Sequence, residues 1–186
     1  LNSPSFVTIG ASNIERTARF FQALGFVRQS GNPIGAFAAR ELYGLPGATA
    51  EATLVMPGAT QGSICIVETP LDPVDGGPFD RGPHAVDLYV RDMDRALEIV
   101  KNTHAEIGPV AAYSVGPMKI RECKCVGPDG LALVLIEVDK RRPSVLDTAD
   151  TVLFSEVHSA VSVVESIDAA APFWKSAGLA VLLDAT

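Results

Sequence analysis

Apolar and polar positions along this chain repeat one pattern three times. The stretches "SFVTIGASNIERTARFF" from Ser5, "HAVDLYVRDMDRALEIV" from His84 and "HSAVSVVESIDAAAPFW" from His158 align without gaps. Each begins with about seven residues of strand character, passes a polar residue (Asn13, Asp92 or Ser166) suited to capping a helix, and continues with helical spacing. The apolar positions fall at matching offsets: Ile14, Ala18 and Phe21; Met93, Ala96, Leu97 and Val100; Ile167, Ala170, Ala171 and Trp174. Such spacing buries one face of a helix against a flat partner, so Phe20, Phe21, Phe173 and Trp174 read as packing residues. Pro172 removes a backbone donor inside the third helix and predicts that this helix is short or kinked.

Strand-like material follows the first two helices. "LGFVRQS", "ATAEATLVMPG" and "GSICIVETP" predict three strands in the first copy, the last closing at Glu68. "AEIGPVAAYSVG", "KIRECKCVGPDG" and "LALVLIEVD" predict three in the second, the last closing at Glu137, with Pro-Asp-Gly as a hairpin turn. The unit is strand, helix, three strands, and it occurs twice. Pro- and Gly-rich "TPLDPVDGGPFDRGP" separates the copies, and "DKRRPSVLDTAD" follows the second. The division expected is a first module over residues 1–72, a second over 78–140, a linker at 141–153 and a partial third module over 154–186, made of strand, helix and the strand "LAVLLD". Such a partial unit, with unpaired strand edges and an incomplete apolar face, is expected either to pair with another molecule, as in a homodimer, or to be poorly ordered.

Composition narrows the class of function. A chain of 186 residues, 47% hydrophobic, can bury a full core. Its net charge of −7, carried by scattered acids, argues against nucleic acid or an anionic membrane as partner. No apolar run has membrane-spanning length, and residues 1–6 lack the features of a signal peptide. Cys65, Cys123 and Cys125 give an odd count without a CxxC spacing; the last two alternate along a strand and read as packing residues. A cytoplasmic protein handling small molecules is the expectation.

Paired strand-helix-three-strand units, with "RDMDRA" at a helix start, "LGF" after the first helix and "GPDG" leading to a glutamate, resemble the vicinal oxygen chelate superfamily. That group includes glyoxalase I, bleomycin and fosfomycin resistance proteins and extradiol dioxygenases. The resemblance implies an α+β fold of paired βαβββ modules forming a curled mixed sheet, here with an incomplete third module. It also implies metal ligands from the first and last strand of each unit: Ser5, Glu68, His84 and Glu137. Serine at the first position, where the family carries histidine, leaves that set one ligand short.

Two readings follow from the resemblance. Glu68, His84 and Glu137 bind a divalent metal (Fe, Mn, Ni, Zn or Mg), with Glu137 as the catalytic carboxylate of a lyase, isomerase or dioxygenase acting on a small oxygen-rich substrate. Alternatively there is no metal in the first two units: the chain is a small-molecule-binding or antibiotic-sequestering protein, or the non-catalytic front half of a longer dioxygenase-like enzyme, in which His158 is the first ligand of a later cup. Bland readings stand beside these. His84 after Gly-Pro reads equally as an ordinary strand residue, and His104 as a surface residue at a helix C-terminus. "DKRR" at Asp139 is a solvated linker start or an anion site. "GATQGS" at Gly58 lacks a P-loop lysine and does not predict a phosphate cradle.

Overall fold

The computed structural model describes residues 4–70 and 81–180. Its first unit runs β1 (Phe6–Ala11), α1 (Ile14–Ala23), β2 (Val27–Ile34), α2 (Ala36–Tyr43), β3 (Thr49–Val55) and β4 (Ser63–Glu68). The second runs β5 (Gly82–Val90), α3 (Met93–Lys101), β6 (Glu106–Val115), β7 (Met118–Val126) and β8 (Ala132–Val138), and the third supplies β9 (Phe154–Val163) and α4 (Ile167–Ser176). The three repeated helices start where the capping residues predict. The side chains of Asn13, Asp92 and Ser166 accept the backbone N–H of Arg16, Arg95 and Ala169 at 2.9, 3.1 and 3.2 Å, satisfying one of the orphan donors at each helix end. Most of the segment separating the first two copies, and most of "LAVLLD", lie outside the described residues.

Two mixed sheets result, ordered β1-β4-β3-β2 and β6-β7-β8-β5-β9. In each unit the first and last strands pair in parallel and the others antiparallel. Side chains alternate between the two faces of each strand. The inner faces and the buried sides of α1 and α3 share one core that includes Phe21, Leu54, Ile66, Met93, Leu88, Leu133 and both Cys123 and Cys125. The two units are also clasped by Asp129, which accepts the Ser12 N–H at 3.0 Å and its hydroxyl at 2.9 Å and pairs with Arg16.

Strand β9 pairs antiparallel with β5, and the Val157 N–H donates to the Gly62 carbonyl at 3.1 Å, tying the second sheet to the β3–β4 turn. Gly62 has φ +73°, and a Cβ there would stand 2.4 Å from the Val157 carbonyl oxygen. Only glycine permits this approach.

Three features depart from the sequence expectation. Helix α2 was not predicted; it is bracketed by Gly35 and by Gly44, whose φ of +68° ends it, and its Ala39 packs with Leu45 and Val67 on the outer face of the first sheet. Pro172, the sixth residue of α4, does not shorten it: the helix has ten residues like α1, with the proline removing one internal N–H donor. Phe173 and Trp174 do not pack: α4 buries none of its residues, and Trp174 is 45% exposed where the matching Phe21 is fully buried.

Candidate functional site

Strand register locates each residue that the resemblance nominates. Glu68 pairs with Ala11 at one end of β1–β4, whereas Ser5 precedes Phe6 at the other, six residues away. Val86 pairs with Leu133, so His84 lies level with Leu131 while Glu137 is six residues further along β8. At 3.3 Å per residue each pair is separated by about 20 Å along the strands, far beyond the reach of one ion. Period two puts both glutamates on the core phase of their strands. Glu68 alternates with Val67 and shares the phase of core residues Ile64 and Ile66, and Glu137 shares that of Leu133 and Leu135. The outer positions of β8 are Ala132, Val134 and Ile136, which form an apolar cluster with Ala85.

Each of these residues has its own surroundings. The Glu137 carboxylate accepts the Met93 N–H at 3.1 Å, at the start of α3, and pairs with Arg121 at 2.9 Å. His84 Nε2 lies 3.1 Å from the Lys124 ammonium. Beside Glu68, its backbone carbonyl accepts the Thr49 hydroxyl. His158 stacks on Tyr89, with ring centroids 3.8 Å apart and 14° between planes. Among the described residues no three of histidine, cysteine, aspartate and glutamate converge on a point where a metal ion could sit. Residues that pair with cations or are separated by whole strands do not fit a divalent metal.

Glu137 instead lines a cavity of about 720 Å3 at the end of the second sheet, where β6, β7 and β8 meet the β5–α3 connection. Four cationic residues, Arg91, Lys119, Arg121 and Arg141, share the wall with only two acids, Glu137 and Asp139. Three of the cations are engaged. Arg91 donates to the carbonyls of Val152 at 3.0 Å and Ala149 at 2.9 Å and to that of Leu146, Arg121 holds Glu137 and Asp94, and Arg141 pairs with Asp147 at 2.5 Å. The Lys119 ammonium has no partner among the described residues. Tyr113 donates to Glu122, which together with burial pushes its hydroxyl up to about 12 and keeps it protonated. Val90, Ala112, Ile120 and Val138 complete an otherwise apolar wall. None of the cationic residues announced itself in the sequence except Arg141, within "DKRR".

A buried polar row lies between β5 and β9. The Ser159 hydroxyl donates to Asp87 at 2.6 Å and stands 3.0 Å from His158 Nε2. That chain assigns the ring proton to Nε2, since one hydroxyl cannot donate twice, and leaves Nδ1 without a partner. Burial raises Asp87 to about 6, against the lowering effect of Ser159, while burial and the nearby Arg142 charge lower His158 to about 4. Both groups are shifted toward their neutral forms; near pH 7 His158 is neutral, while Asp87 remains mostly ionised and accepts the Ser159 hydroxyl.

With this geometry established, the class of fold follows from known structures. A glyoxalase family protein from Bacillus cereus superposes with a TM-score of 0.60 at 21% identity, over 74% of this chain and 95% of that one. The fosfomycin resistance protein FosX from Listeria monocytogenes, solved as a mutant complexed with Mn(II) and 1S,2S-dihydroxypropylphosphonic acid, gives 0.51 at 15% identity, over 73% of this chain and 89% of that one. A Bacillus subtilis protein provisionally assigned as a dioxygenase gives 0.67 at 14% identity, over 94% of this chain but 54% of that one. The fold is the one that these glyoxalase-family, fosfomycin resistance and dioxygenase-like structures share. No protein-family model and no curated protein matches the chain. Among the described residues no helix is long and apolar enough to cross a membrane.

Proposed function

We propose that this protein binds a small, anionic, oxygen-rich organic molecule in the Glu137 cavity, without a metal at the four positions the resemblance nominates. The observation that carries the reading is the wall of that cavity: an excess of cationic groups, one ammonium unpaired, over an apolar floor. Lys119 supplies the free charge, Arg121 is fixed by Glu137 and Asp94, and the apolar strand residues take the carbon skeleton. Glu137 is a positioning residue here, holding Arg121 rather than an ion. The test is calorimetry with a panel of small carboxylates and phosphonates. Saturable binding that weakens about tenfold in Lys119→Ala supports the reading; no binding by any member, or binding indifferent to that change, contradicts it.

A second reading has its own support in the Bacillus subtilis comparison, where nearly all of this chain matches about half of a longer protein. In that reading these modules are the non-catalytic part of a dioxygenase-like enzyme. His158, held between Tyr89 and Ser159, is then a structural residue of the junction.

A further inference from the structure

A separate cavity of about 320 Å3 lies where the β3–β4 turn, the segment after β8 and the start of β9 meet. Two oppositely charged residues line it without pairing. The half-buried Arg142 guanidinium makes no hydrogen bond or ion pair among the described residues. Glu156 is 7% exposed; one carboxylate oxygen accepts the Val145 N–H at 3.1 Å, and the other accepts no hydrogen bond. Gly62 makes this placement possible, because a Cβ there would come within 2.8 Å of Glu156 Cγ. Carboxylate and guanidinium held partly out of water without partners carry a desolvation cost that a ligand bearing both charges relieves.

We propose that this cavity binds a small zwitterion of the free α-amino acid class, its carboxylate on Arg142 and its ammonium on the open oxygen of Glu156. The remaining lining suits such a ligand: Thr60 and Gln61 are polar, and Ser144, whose oxygen accepts the Leu146 N–H at 3.3 Å, keeps its own proton to donate. The volume lies at the small end of ligand cavities. The site is distinct from the Glu137 cavity, since Arg141 lines that one and its neighbour Arg142 lines this one.

Isothermal titration of the full chain with L-alanine, L-serine and L-glutamine, with acetate and ethylamine as single-charge controls, tests the proposal. At least one amino acid is expected to saturate the site and to bind about tenfold or more tightly than either control. Arg142→Gln and Glu156→Gln should each weaken it about tenfold or more. The Arg142 guanidinium holds no other described group by a hydrogen bond, and glutamine at 156 still accepts the Val145 N–H, so both variants are expected to keep the parent unfolding temperature. Failure of all three amino acids to saturate at about 10 mM, acetate binding as well as they do, or unchanged affinity in both variants overturns the proposal.

Discussion

Arg121 and Glu137 stand opposite each other in the β7–β8 ladder and pair at 2.9 Å, and the same carboxylate accepts the Met93 N–H at 3.1 Å. Glu137 thus joins the sheet to the first turn of α3, where negative charge is favoured by the helix dipole. Glu137→Ala removes both contacts and is expected to cost about 1–3 kcal/mol. Glu137→Gln keeps an acceptor for Met93 and is expected to cost less than about 1 kcal/mol. Urea unfolding measures both, and the losses should be the same with and without added divalent metal.

Phe21 and Trp174 occupy the same position of the repeat, yet one is fully buried and the other 45% exposed. Phe21→Ala is expected to destabilise the chain by about 3–5 kcal/mol. Trp174→Ala should change the stability of the monomer by no more than about 0.5 kcal/mol. An unfolding temperature that rises with protein concentration in the parent, but not in Trp174→Ala, would mark this helix face as a contact between chains.

The Asp87–Ser159–His158 row makes opposing contributions to pH dependence. His158 titrates at about 4 when folded, against an ordinary 6.5, so the unfolded chain binds more protons between these values and stability is lost as pH falls through them. Asp87 titrates at about 6 when folded, against 3.8, so its contribution is present below 3.8 and lost as pH rises through 6. The two slopes oppose each other in the parent. Compared with it, His158→Gln should become less stable as pH rises from 4 to 6, and Asp87→Asn less stable as pH falls from 6.5 to 4. Denaturant midpoints across this range distinguish them.

Gly62→Ala places a methyl 2.4 Å from the Val157 carbonyl oxygen at a φ of +73°. A cost of about 2–4 kcal/mol is expected, together with weakened attachment of β9, read as faster amide exchange at Val157.

The period of the chain made the strands, the three repeated helices and their caps legible, because alternation and helical spacing are local. Helix α2 was hidden: "AFAARELY" is short, and its single buried contact point, Ala39, belongs to a cluster assembled from β4 and Leu45. The candidate site was less legible. The repeat located strand ends only approximately, since β9 begins at Phe154, four residues before His158. A shared strand position does not fix which face a side chain leaves from or which residues lie level across a parallel pair. Glu68 closes β4 and Glu137 stands one residue before the end of β8, and both carry the phase of the core. Arg142 and Glu156 could not have been coupled from sequence, since the turn at Gly62 brings them to one cavity.

Titration of metal-free protein with Mn(II), Ni(II) and Zn(II), followed by calorimetry, tests the metal-free account most directly. With Glu137 held by Arg121, His84 beside Lys124, and about 20 Å of strand between the paired positions, no stoichiometric site that depends on Glu68, His84 or Glu137 is expected. One equivalent of tightly bound metal, lost together in Glu68→Gln, His84→Gln and Glu137→Gln, would contradict the account.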